Sequence, residues 1–95
     1  MIVWWSDAAI DDLEKIYDYI DFRNPQAALR VKVSIVESGN LLRDFPEVGE
    51  TVDRPEIRRR VVTGLPYILF YRITAEMVEI LSILDAKMDR PPDLQ

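Results

Sequence analysis

The hydrophobic periodicity of this 95-residue chain changes once, near residue 57, and that change constrains the fold more than any other feature. Before it, apolar side chains recur at helical spacing. Ile10, Leu13, Ile16, Tyr17 and Ile20 share one helical face, and Ala28, Val31, Ile35 and Leu42 share another, with Val36 and Leu41 beside it. After it, three segments alternate at a period of two, as strands do: residues 57–63, 67–73 and 78–84.

Local signals divide the first half. Ile2, Val3, Trp4 and Trp5 are strand-forming types in a short run. Ser6 or Asp7 can cap a following helix, because a short side-chain oxygen accepts from a free backbone N–H. Asp7, Asp11, Asp12 and Glu14 crowd its first turns, where the helix dipole favours negative charge. The pattern predicts a helix over 7–22. Asn24-Pro25 then breaks and restarts it, with Asn as cap and Pro at the first helical position. So short a link predicts an antiparallel helical hairpin. Gly39-Asn40 weakens or bends the last turn. Residues 44–56, with two prolines and a glycine, read as a surface loop, and 85–95 as an irregular tail. The turns at 64–66 and 74–77 are short enough to join antiparallel neighbours. The expectation is one α+β domain over 1–95: an N-terminal strand, a two-helix antiparallel hairpin and a three-stranded antiparallel meander.

On the middle strand Tyr67, Leu69, Tyr71 and Ile73 share one face, and Ile68, Phe70 and Arg72 the other. On the last, strict alternation groups Val78, Ile80 and Leu84 against Leu81 and Ile83. Both faces are apolar, and two helices cover only one. The second is either an interaction surface or is covered by the loop and tail. Trp4 and Trp5 point to opposite faces, so one is core and the other is expected under a partner.

Composition removes several kinds of chemistry. There is no cysteine and no histidine, which excludes disulfides and the commonest general base and metal ligand. Asp11-Asp12 has no companion ligand set, so no metal or cofactor is expected. No apolar run nears the ~20 residues of a membrane span, and the N-terminus has no signal-peptide pattern, so an intracellular protein is expected.

Charge is uneven within a net of −5. Residues 1–53 carry 5 basic and 11 acidic side chains; residues 54–95 carry 7 and 6. Arg54, Arg58, Arg59 and Arg60 make most of the difference. A general nucleic-acid binder would be basic throughout, so no sequence-specific nucleic-acid binding is expected. Two readings of the arginines stand. Charges at a strand end protect an exposed edge; alternatively, Arg58 and Arg60, on one face, recognise an anion. Arg59 faces the other way and is expected to pair with a helix acid.

The segments WSDAAIDDLEKIYDYI (5–20), NPQAA (24–28), LLRDFPEVG (41–49), IRRR (57–60), LPYILFYRI (65–73) and VEILSIL (78–84), in this order and spacing, resemble the ParE/RelE superfamily of bacterial toxins from type II toxin–antitoxin modules, and within it the ParE branch. The resemblance implies a bacterial cytoplasmic toxin of the plasmid-stabilising kind, held in a hetero-oligomeric complex by a ParD-like antitoxin. ParE-like members poison DNA gyrase; RelE-like members cut messenger RNA on the ribosome.

RNA cleavage by such a fold needs cationic groups around a 2′-hydroxyl and the scissile phosphate. RelE-like toxins supply Lys and Arg from two strands, plus an Arg and a Tyr near the C-terminus. Here Arg58 and Arg60 match the first group and Lys87 stands in for the C-terminal arginine, but the next strand offers Ile68 and the tail has no tyrosine. Where other relatives place a histidine, this chain has Asp85, and arginine is a poor base. The expectation is therefore no enzymatic activity and no catalytic residue, with Arg58, Arg60 and Lys87 as target or anion contacts. Antitoxin contact is expected from Trp4, Leu13, Glu14, Tyr17, Asp18, Arg30, Arg59 and Tyr71, with Glu14, Asp18 and Arg30 tuning specificity. The alternatives are a RelE-like ribonuclease and a non-toxic relative that only binds its antitoxin.

Overall fold

The computed structural model describes residues 1–87, so the expectation for the tail beyond 87 lies outside the described residues. Ser6 is the first cap. Its Oγ accepts from the Ala9 N–H at 3.0 Å and donates to the Leu81 carbonyl at 3.0 Å, so one hydroxyl starts helix α1 (Asp7–Asp21) and ties it to the sheet. The Asn24 side chain accepts from the Ala27 N–H, and Pro25 opens helix α2 (Pro25–Asn40). The helices pack against each other as an antiparallel pair, and a short 3₁₀ turn, Leu41–Arg43, follows.

The strands are β1 (Ile2–Trp5), β2 (Glu50–Thr51), β3 (Arg58–Val61), β4 (Tyr67–Ile73) and β5 (Met77–Asp85). They form one sheet in the order β1-β5-β4-β3-β2. The antiparallel meander runs from β3 to β5. The N-terminal strand joins it in parallel, with Val3 opposite Val78 and Trp5 opposite Ile80. A parallel neighbour needs a crossover, which the helical hairpin supplies. Within the expected loop, Glu50 and Thr51 add a two-residue edge strand against Arg59 and Arg58.

One register shift corrects the strict alternation expected of β5. Phe70 lies opposite Ser82 but Tyr71 lies opposite Ile80, so Leu81 is an extra, bulged residue. The shift brings Ile83 (5% exposed) onto the buried face with Val78 and Ile80, and Leu84 leaves it. Beyond β1 the edge of β5 is held by α1: Asp12 Oδ2 accepts the Ile83 N–H at 2.9 Å.

The helices cover one face of the sheet. Two clusters fill that interface: Ala9, Leu42, Tyr71, Val78 and Ile80 in one, and Ile35, Val62, Tyr67, Leu69 and Ile83 in the other. Trp5 packs against both. Burying each large aliphatic side chain contributes about 1.5–3 kcal/mol. Gly39 lies inside α2, buried, and its place is explained by Trp5 rather than by a bend: an added Cβ would stand 2.6 Å from the indole Cη2 and 2.9 Å from Ile80 Cδ1.

Candidate functional site

Two matched stripes flank the outer groove of the helical hairpin. On α1, Ile10, Leu13, Glu14 and Tyr17 stand at i, i+3, i+4 and i+7; on α2, Leu29, Lys32, Val33 and Val36 do the same. Each set is one flank of its helix. Ile10, Leu13, Glu14, Tyr17, Asp18 and Lys32 line a groove of about 490 Å³. Lys32 Nζ sits 5.3 Å from the centre of the Tyr17 ring, which joins the helices across it. Ile10 in the groove is 44% exposed, and Leu29 and Val33, at helical spacing on α2 beside Lys32, are 57% and 46% exposed, so apolar surface extends beside the groove. Glu14 and Asp18 place two carboxylates on one rim against the ammonium of Lys32. An apolar floor with charged rims fits the apolar face of an amphipathic helix.

The expected partner residues divide among separate places. Leu13, Glu14, Tyr17 and Asp18 meet in this groove. Leu13 also packs on the core. Arg30 does not join them; it lines a cavity on the opposite flank of α2, with Val31, Ser34 and Leu65. Trp4 stands on the open sheet face, 45% exposed, because its neighbour Trp5 enters the core. Arg59 is on that same open face, opposite Phe70, so the expected pairing with a helix acid does not form; its surroundings are Glu50, Asp53 and Arg54. Tyr71 is corrected outright. It is fully buried, and its phenol accepts from the Gly49 N–H at 2.9 Å and donates to the Pro46 carbonyl at 2.7 Å, fastening the loop before β2 rather than meeting a partner. Burial raises the pKa of Tyr71, opposed by the Gly49 hydrogen bond, and burial followed by the Asp85 charge raises that of Tyr67.

Arg58 and Arg60 share a strand face, as alternation predicts, and it is the face toward the helices, opposite Tyr71 and Leu69. Arg58 Nη1 donates to the Gly49 carbonyl at 2.8 Å and to the Glu47 carbonyl at 3.3 Å, so its guanidinium is engaged by the loop. Arg60 faces α2, beside Ser34, Glu37 and Ser38. Ile68 points to the other face, opposite Val61 and Leu84. Lys87 is exposed past the end of β5, where its N–H donates to Asp85 Oδ1. These four positions do not converge on one point, and among the described residues no three carboxylates gather as a metal site needs. No helix there is long and apolar enough to cross a membrane.

Sequence reasoning missed Ile10 and Lys32 as groove residues, and the exposed Leu29 and Val33 beside them. The signal was present: a helix that carries more apolar positions than its core stripe requires has a second flank to cover.

Residues 3–90 match the family model described as ParE toxin of type II toxin-antitoxin system, parDE. Among curated proteins, the chain is 33% identical over 87 residues to the candidate toxin Y4kP of Sinorhizobium fredii, covering 92% of this chain and 90% of that one. It is 31% identical over 84 residues to toxin RelE2 of Caulobacter vibrioides, covering 88% and 93%. Among solved structures, a chain of the chromosomal ParDE TA system from P. aeruginosa superposes with a TM-score of 0.79 at 27% identity, over 87% of this chain and 92% of that one.

Proposed function

Because the chain belongs to the ParE toxin family of type II toxin–antitoxin systems, we propose that it is neutralised by a ParD-like antitoxin whose amphipathic helix lies in the hairpin groove, and that it acts by binding DNA gyrase. The observation that carries the antitoxin reading is the pair of matched stripes on α1 and α2. They leave Ile10, Leu29 and Val33 exposed at helical spacing around a groove the monomer does not fill. Gyrase is the target that membership of the ParE branch favours over RNA.

The arrangement of the cations supports a binding mode rather than RNA cleavage. Arg58 is committed to two loop carbonyls, and Ile68 and Arg60 lie on opposite faces of the sheet. No histidine is available to exchange a proton. Loss of general acid–base help typically slows a reaction ~100- to 10,000-fold per group, so two such losses leave negligible turnover.

Purified antitoxin-free protein, added to a gyrase supercoiling assay, should inhibit it, and the cognate antitoxin should relieve that inhibition. Primer extension on translated messenger RNA should show no new cuts. Codon-dependent cuts with gyrase unaffected would overturn the reading in favour of the ribonuclease. Antitoxin binding without either activity would leave a toxin fold that only binds its partner.

A further inference from the structure

On the flank of α2 away from α1, two adjoining cavities of about 340 Å³ each form one trough between α2 and the end of β3. They share Ser34 and Thr63. Arg30 lines one cavity and Arg60 the other, with the shared Ser34 and Thr63 between them, Ser38 in the Arg60 cavity, and Glu37 as the one carboxylate. Neither arginine makes an ion pair among the described residues. Arg60 Nε is buried with no hydrogen-bond partner. A buried donor left unpaired is unfavourable, so the site gains when an acceptor arrives.

The backbone beside this trough is also unpaired. The Val62 N–H donates to the Tyr67 carbonyl at 2.9 Å, so Val62 faces β4 and its neighbours Val61 and Thr63 turn their backbone groups outward. The edge strand β2 covers only Arg58 and Arg59. The chain next in line, at Val48, spends its N–H on the Phe45 carbonyl. Val61 is 47% exposed. An open strand edge next to two cations and several hydroxyls calls for an extended chain with carboxylates at alternate positions. Its backbone would continue the ladder past β2, and its acids facing α2 would reach Arg60 and Arg30 as charge-assisted hydrogen bonds.

We infer that the trough between α2 and β3 docks an extended acidic segment of the antitoxin, added as a strand along Val61 and Thr63 and held by Arg60 and Arg30. This rests on the antitoxin reading above but uses a surface separate from the hairpin groove. It also gives the arginine-rich strand a use in an otherwise acidic protein: Arg58 holds the loop, and Arg60 meets the partner.

The probe is a synthetic hexapeptide alternating glutamate and valine, with a lysine–valine peptide as control, titrated into the ¹⁵N-labelled full chain. The glutamate peptide should shift the amides of Val61, Thr63 and Ser34, and leave those of Glu14 and Tyr17 unmoved. Arg60→Gln with Arg30→Gln should weaken it at least 10-fold, while a Lys32→Gln control should not. Equal binding of the lysine peptide, shifts confined to the hairpin groove, or no shifts at millimolar peptide would overturn the proposal. So would a single-stranded RNA oligomer that binds these residues more tightly than the acidic peptide. In a parallel arm, full-length antitoxin is tested against the chain carrying Ile10→Asp and against the chain carrying Arg60→Gln. Loss with the first and not the second would retain the hairpin groove and overturn the trough; loss with the second alone would do the reverse.

Discussion

Gly39 on α2 and Trp5 on β1 touch so closely that the helix has room for a hydrogen there and for nothing larger: an added Cβ would lie 2.6 Å from the indole Cη2. Trp5 in turn joins both halves of the core. Gly39→Ala sets two effects against each other. Alanine favours a helix over glycine by about 1 kcal/mol. Overpacking a filled core loses about 1–3 kcal/mol, and here the obstacle is a held aromatic ring. With the ring held, the loss should lie in the upper part of that range, so the clash should win by up to about 2 kcal/mol in urea unfolding. Trp5→Phe in the same chain should recover part of that loss, giving a favourable coupling in the double-mutant cycle. A Gly39→Ala protein as stable as the parent would show that the indole is free to move.

Tyr71→Phe keeps the ring in the core but leaves the Gly49 N–H and Pro46 carbonyl without their partner. The expected loss is about 1–3 kcal/mol, with faster proteolysis confined to 44–56. Alkali should reveal the same contact. Burial holds the phenols of Tyr71 and Tyr67 above the ordinary value of 10.0. Between that value and the raised one, the unfolded chain has released protons that the folded chain still holds. Stability is therefore fully present below pH 10 and falls as pH rises through the folded values. The double replacement Tyr67→Phe, Tyr71→Phe should flatten that alkaline decline relative to the parent, measured as unfolding free energy against pH. An unchanged slope would assign the decline to other groups.

Ile10→Asp places a carboxylate in the hairpin groove, beside Glu14, at a position that is 44% exposed and belongs to neither core cluster. Antitoxin affinity should fall at least 10-fold, about 1.4 kcal/mol, with the circular dichroism spectrum unchanged. Charge reversal at Glu14 and Asp18 should change which related antitoxins are accepted more than how tightly the cognate one binds. Arg30→Glu lies on the other flank of α2, so its effect should add to theirs instead of coupling with it. Unchanged affinity in the Ile10→Asp chain would remove the groove from the interface.

Much of this protein was legible in one dimension because the responsible forces act over a few residues. Ser6 caps α1, Asn24-Pro25 opens α2, and the alternation at 67–73 becomes β4, because caps, proline geometry and side-chain periodicity are local. The stripe of Leu13, Glu14, Tyr17 and Asp18 was equally readable, as helical spacing alone puts those residues on one flank. The tertiary structure decided whatever depends on a distant partner. The bulge at Leu81 shifts the period-two count by one, so Ile83 is core and Leu84 is not. Tyr71 resembles a sheet-face aromatic until the loop at Pro46 and Gly49 folds over its hydroxyl. Gly39 resembles a weak helix end until Trp5 arrives against it. Arg58 and Arg60 differ in use although they are two residues apart on one face, because one meets loop carbonyls and the other an open trough beside α2. In each case residue type sets what a side chain can do, and the packing of remote segments sets which of those possibilities is used.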